Sequence, residues 1–312
     1  MRKIIYITLL LLIYGCTKES PLVEIPDDNA LTIRLSGSEF STKTVDEDNP
    51  ASEQIINSVA IMMTEPSSDE ITHSFIGIGF SRGDDHCIVS LPLEPEELGT
   101  KDIHVVTNYG NVDLASITTI SQLKETKTPA VNKTNNLNTA TGFCMYGMTS
   151  AYDFVNSEDS YVNVTVERTC AKMRFTMSFP DDPDLSTDNS FLITNAASYT
   201  YIIETIGGIA LPSESYFNFA APLELVSNVN GEYIGTTYVY EASSKPTVYF
   251  YTHFSGSTEE QTFITTLPLP VRNYFYDITV QIYEDNDTRT MHRNYRIKTE
   301  ITVYDGNGKI IS

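Results

Sequence analysis

The chain has 312 residues, with 41 Asp and Glu against 20 Lys and Arg, for a formal net charge of −21. Such a charge excludes nucleic acid as a partner, because phosphates require a basic surface, and it keeps an exposed protein soluble. The hydrophobic share of 41%, with 19 Tyr and 14 Phe but no Trp, supplies cores for about two domains.

Residues 1–16, MRKIIYITLLLLIYGC, read as a targeting segment. Arg2 and Lys3 precede an apolar run over 4–14, too short for a membrane span, which needs about 20 residues. The run ends Ile13-Tyr14-Gly15-Cys16. Aliphatic, spacer, small residue and Cys resemble a bacterial lipobox, and that resemblance implies cleavage before Cys16 and acylation of Cys16. The alternative is an ordinary secretory signal with a coincidental Cys. Residues 17–29, TKESPLVEIPDDN, form a polar tether containing Pro.

Residues 30–36, ALTIRLS, alternate and predict the first strand, with Leu31, Ile33 and Leu35 inward. A polar, acidic connector follows over 37–54, with Lys43 as its only basic residue. Strands are predicted over 55–64, 74–80, 87–93, 102–108 and 143–149, with a short helix over 116–125 and an Asn/Thr-rich loop over 126–141. The stretch 162–179, VNVTVERTCAKMRFTMSF, organises the chain. Val162, Val164 and Val166 alternate with polar residues; after Glu167-Arg168-Thr169 a second alternation begins. Ala171, Met173, Phe175, Met177 and Phe179 face one way, Lys172, Arg174, Thr176 and Ser178 the other. This predicts one sandwich closing and another opening; the alternative is a single bent strand. In the second half, residues 191–206 are apolar and β-branched. Strands are predicted over 233–240, 247–254, 261–269, 273–283 and 295–304, before Asp305-Gly306 and Asn307-Gly308 turn signals. The expected architecture is all-β, with few short helices. Its parts are a signal (1–15), a tether (16–29), an N-terminal β-sandwich (30–166) and a C-terminal β-sandwich (167–312).

Motifs for chemistry are missing. His73, His86, His104, His253 and His292 form no H-E-x-x-H, no C-x-x-C exists, and no nucleophile elbow, P-loop or dinucleotide fingerprint occurs. Asp84-Asp85-His86 reads as a solvated turn, and Asp181, Asp182 and Asp184 lack the spacing of a Ca²⁺ loop. No catalytic residue, metal or cofactor is therefore expected. With Cys16 acylated, Cys87, Cys144 and Cys170 are an odd set inside apolar strands. Free buried thiols are expected, with one disulfide as the alternative.

Four stretches in order resemble the fimbrillin (FimA-type) subunits of type V pili. They are the lipobox with ALTIRLS, STKTVDEDN and SVAIMMT; KDIHVVTNYGN; ERTCAKMRFTMSF; and VRNYFYDITVQI. The resemblance implies two tandem transthyretin-like β-sandwiches. It also implies export as an outer-membrane lipoprotein and removal of the first strand by a surface protease. Lys43, before Thr44, matches the processing position; Arg34 is an alternative inside the strand. It implies head-to-tail partnership with other fimbrial subunits, and adhesion to a host or bacterial surface ligand. Leu31, Ile33 and Leu35 would be displaced by a neighbour's C-terminal strand, read here as Ile297, Thr299, Ile301 and Val303. The competing reading of that segment is a permanent last strand. The chain lacks the Trp often found near the family's C-terminus, which leaves stalk against tip or accessory subunit open. The other readings are a surface lipoprotein that binds glycan or protein without polymerising, and a surface hydrolase.

Cys16→Ala is expected to abolish metabolic labelling by fatty acid and to hold the precursor in the inner membrane. Unchanged labelling would show that Cys16 is not the acylated residue.

Overall fold

The computed structural model describes residues 31–37, 53–83, 86–94, 98–157, 161–179, 189–203, 216–227, 232–253, 259–285 and 294–311. The first half contains β1 (Leu31–Gly37), β2 (Val59–Thr64), β3 (Ile71–Ile76), β4 (Ser81–Arg82), β5 (Cys87–Leu91) and β6 (Thr100–Thr107). It continues with α1 (Ile120–Glu125), β7 (Met145–Asp153) and β8 (Val162–Arg168). These eight strands join in the order β3-β2-β6-β7-β8-β1-β5-β4. β7 and β8 pair only at Met145–Arg168 and Tyr146–Glu167, so the sheet folds at that corner into two facing layers. Between the layers, Leu31, Ile33, Leu35 and Val89 pack against Ile61, Met63, Ile103 and Val105. Where the corner brings backbones together stands Gly147. A Cβ there would lie 2.2 Å from the Thr165 carbonyl oxygen, a distance only glycine tolerates.

The continuous apolar run of β2 has a packing cause. Ile61 and Met63 face the inter-layer core, while Ala60 and Met62 face a second cluster with Leu114, Ile120, Leu123 and Ile202. Both faces are buried, so no polar alternation is possible. The helix is shorter than the 116–125 expected. Thr119 is its N-cap, with the Gln122 amide donating to the Thr119 hydroxyl and the Gln122 side chain returning to the Thr119 backbone. That capping box sets the start at Ile120, and Ile117 is buried ahead of the helix.

The second half contains β9 (Cys170–Ser178), β10 (Ser190–Ala197), β11 (Tyr216–Pro222), β12 (Glu224–Ser227) and β13 (Glu232–Tyr240). It ends with β14 (Thr247–His253), β15 (Glu260–Thr266), β16 (Phe275–Asp285) and β17 (Asn294–Tyr304). A sheet β11-β10-β14-β15 faces a sheet β12-β13-β9-β16-β17. Phe175, Phe191 and Phe250 meet at the centre, with ring centroids 4.7 and 5.7 Å apart. The chain is all-β, as its alternation implied. Several strand limits differ from expectation: β3 lies at 71–76 and not 74–80, and β7 at 145–153 and not 143–149. β11 and β12 escaped the sequence pattern, β12 because four residues show no period. On β9 both faces are buried: Lys172 and Arg174, on the face opposite Ala171, Met173 and Phe175, have little exposed surface. β9 is the middle strand of its sheet, and its second face is covered by residues from the first half.

His104 on β6 is buried, with Nδ1 2.8 Å from the Tyr146 hydroxyl. Burial holds its pKa down at about 4, against a smaller opposite effect of Asp102 and with a minor contribution from Lys124. The folded state thus keeps the ring neutral while the unfolded chain protonates near pH 6.5. Stability from this group is complete above about pH 6.5 and is lost as pH falls towards 4, by at most about 1.4 kcal/mol per pH unit. His104→Gln is expected to flatten the urea-midpoint profile across that window; an unchanged slope would assign the pH dependence to other groups.

Candidate functional site

Among the described residues no group of His, Cys, Asp or Glu is placed to hold a metal ion. What stands out is one strand and the polar cluster at its end. β1 pairs antiparallel with β5, from Leu31–Leu91 to Leu35–Cys87, and parallel with β8, from Ile33–Val162 to Gly37–Val166. It comes from the start of the fold yet lies in the interior of its sheet. In the strand order it alone links β8 to β5 and β4. Ile33 and Leu35 have no exposed surface and Leu31 has 6%. On the opposite face, the Arg34 guanidinium lies 5.6 Å above the Tyr161 ring and 3.2 Å from His86 Nδ1. Without β1, the sheet would present two lines of unpaired amides and carbonyls and an apolar trough.

The trough ends at a buried polar junction. Gly37, the last residue of β1, packs against the Gln54 side chain. Beside it, Glu53 is 4% exposed. Its Oε1 accepts from Lys172 Nζ and from the Tyr238 hydroxyl, each at 2.7 Å. Its carbonyl oxygen accepts from Arg168 Nε at 3.1 Å. Arg168 is fully buried and also reaches Asn273 Oδ1 at 3.5 Å. Arg174 grips Asp277 through two nitrogens, at 3.2 and 2.7 Å, the paired geometry that makes guanidinium–carboxylate contacts strong. Arg272 binds Glu241 and donates to the carbonyls of Ile202 and Tyr201. Burial drives the Tyr238 phenol pKa far upward, and the Glu53 charge adds to it.

The motif residues of the pilin resemblance thus meet in space as structure. Arg168, Lys172 and Arg174 from one stretch engage Asn273, Glu53 and Asp277. Asn108 from another, at φ +51°, accepts from the Asn57 amide at 2.7 Å and donates to the carbonyls of Ile55 and Phe143. Glu53 was missed by sequence reasoning, which placed it in a solvated connector. Only a partner distant in sequence makes it a buried anchor. Cys87, Cys144 and Cys170 are buried free thiols, and burial pushes Cys144 and Cys170 up to about 12, which removes thiolate reactivity.

Of the expected site residues, Cys16, Lys43 and Thr44 lie outside the described residues. Leu31, Ile33 and Leu35 fill the trough. Ile297, Thr299, Ile301 and Val303 lie on β17, opposite Ile282, Val280, Ile278 and Tyr276 of β16. β17 is the edge of its sheet; Ile297 and Ile301 pack half-buried on the core and Val303 is buried.

Two β-sandwiches stand in tandem, the first with β1 in the interior of its sheet. Solved structures share this fold over nearly their whole length. A candidate cell adhesion protein from Parabacteroides distasonis superposes with a TM-score of 0.55 at 14% identity, covering 89% of this chain and 98% of that one. A fimbrial assembly protein from the same organism gives 0.54 at 13% identity, over 90% and 98%. The tip fimbrial protein Mfa3 from Porphyromonas gingivalis, with a C-terminal truncation, gives 0.51 at 16% identity, over 88% and 98%. No protein-family model and no curated protein matches the sequence.

Breaking the junction at Glu53 tests its weight. Glu53→Gln leaves Lys172 buried without its counter-charge and is expected to cost about 3–5 kcal/mol. The Glu53→Gln, Lys172→Met double variant should recover much of that loss in urea unfolding. Equal stability of Glu53→Gln and the parent protein would show that the buried pair contributes nothing.

Proposed function

We propose that this protein is a structural, non-enzymatic subunit of a type V pilus, exported as an outer-membrane lipoprotein through Cys16 and polymerised by strand exchange to support adhesion. In this reading the two sandwiches are separate domains, 30–166 and 167–312. The observation that carries it is the position of β1. Ordinary interior strands are held at both ends by chain. β1 lies at the start of the fold, and the connector over 37–54 contains Lys43. A cut after Lys43 leaves β1 held by non-covalent forces alone. Its departure would separate β5 and β4 from the rest of the sheet, so the vacated trough requires a replacement. Strand addition satisfies both the ladder and the apolar surface, and repeated head-to-tail addition builds a filament.

A replacement must run parallel to β8 and antiparallel to β5, and present aliphatic side chains at alternate positions. β17 has that alternation: Ile297, Thr299, Ile301 and Val303 against Arg296, Lys298, Glu300 and Thr302. In the isolated subunit it is bonded to β16, so donation costs that ladder, which a new ladder in the neighbour offsets. Three buried aliphatic anchors stabilise the joint by roughly 1.5–3 kcal/mol each. The similar folds of fimbrial proteins support the reading.

The test compares Lys43→Gln and Ile301→Asp with the parent in cells. The parent should yield a mature chain starting at Thr44 and high-mass ladders on unboiled gels. Lys43→Gln should accumulate as a folded, anchored monomer, and Ile301→Asp should fold without donating. Ladders from both variants would overturn strand exchange through these residues, and a mature chain that keeps Cys16 as its first residue would overturn the processing step.

A further inference from the structure

The loop between α1 and β7 spans residues 126–144 and has no helix or strand of its own. Loops longer than about 12–15 residues without internal structure are usually functional. This one is firmly held. Thr128 N donates to Thr200 O and Val131 N to Ser198 O, both at 2.8 Å, and the Tyr240 hydroxyl donates to Pro129 O at 2.9 Å. It thereby bridges the two sandwiches and walls a cleft of about 220 Å³. The buried Asn108 and Tyr240 lie deepest, and the exposed Asn57 and Asn135 stand at the rim. Pro129 and Leu137 supply an apolar wall.

The chemistry of the lining is selective. On a chain of net charge −21, no residue lining this cleft is charged. Its carboxamides divide into two groups. Those of Asn108 and Asn57 are committed: Asn108 as described above, Asn57 by donating to Thr141 O at 2.9 Å and accepting from Arg82. They form a fixed frame. The Asn135 carboxamide and Ser58 hydroxyl make no hydrogen bond in the structure. The Asn136 NH₂ is likewise unused, its Oδ1 accepting from Leu137 N at 2.8 Å. A rigid polar frame, spare donors and acceptors and one apolar wall fit a ligand with hydroxyls on its edges, a C–H face and no charge. The volume falls below the roughly 300–1,000 Å³ of drug-sized sites, which fits a single ring.

We propose that this cleft binds one uncharged sugar residue of a glycan. Phe175, Phe191, Phe250 and Tyr276 are core, and the aromatic residue lining this cleft is Tyr240. The site uses neutral carboxamides and hydroxyls of the first half, with Tyr240 of the second half at its depth. It is independent of the strand-exchange reading, since the cleft is complete in one subunit.

Saturation-transfer NMR and calorimetry on the purified single subunit test it. The probes are galactose, mannose, N-acetylglucosamine and their oligosaccharides, with N-acetylneuraminic acid as the charged counterpart. At least one neutral probe should bind saturably and the charged one should not. The Asn135→Ala, Asn136→Ala double variant should lose at least about fivefold in affinity, the loss expected from two hydrogen bonds at the weak end of their range. Its melting temperature should fall little, because neither side chain is in the core and only the local bond from Leu137 N is lost. Absence of binding by every neutral probe, equal binding of the acid, or binding unaffected in the double variant would overturn the proposal. Pilus assembly is not read in this assay, so its failure leaves the strand-exchange reading intact.

Discussion

One residue, Thr169, separates the last strand of the first sandwich from the first strand of the second. So short a crossing leaves the two halves no freedom to stand apart, and it draws polar groups out of water. Arg168 on one side and Lys172 on the other are buried by it. A buried cation without a partner costs several kcal/mol, so the fold must bring acceptors to this place. It does so from two distant segments: Glu53 accepts from both Arg168 and Lys172, and Asn273 accepts from Arg168, while the Tyr238 hydroxyl donates to Glu53. Around them Phe143, Cys170, Tyr240 and Phe275 form a separate apolar cluster. Lys172 and Arg174 lie over the Phe275 ring at 5.7 and 5.4 Å, adding cation–π attraction where water is excluded.

This junction gives the β1 trough its character. Strands on either side of the trough belong to a sandwich whose far end is tied through Arg168 and Glu53 to the second half. Glu53 is the first described residue after β1, so the chain from there on has its own attachment and does not rely on β1 to hold it. β1 itself is attached as any interior strand is, by apolar burial on one face and ladders on both edges. What distinguishes it is topology. It is the first strand among the described residues, and it alone joins β8 to β5.

Among the described residues, the ion pairs Lys172–Glu53, Arg174–Asp277 and Arg272–Glu241 are largely withdrawn from water, while Lys298–Glu300 is exposed. The cleft walled by the 126–144 loop has no charged residue in its lining.

Strands and their inward faces were readable in the sequence. The alternation in 31–37, 162–168 and 170–178 fixed which side chains enter a core, because a period of two leaves only one choice of face. The change of sheet at Glu167-Arg168-Thr169 was visible as an interruption of that period. Local pattern could not reveal what covers the second face of β9, where Lys172 and Arg174 are buried. It could not lift Glu53 out of a polar connector, nor join Asn57, Asn135 and Tyr240 around one cleft. Glu53 meets Lys172 and Tyr238 across 119 and 185 residues. Such contacts depend on how sheets stack and where the chain crosses between them, and hydrophobic periodicity within one strand carries no information about either. Composition and alternation determined an all-β chain and the inward face of its first strand; only tertiary packing decided that its charges would be buried at the crossing and its spare carboxamides gathered beside it.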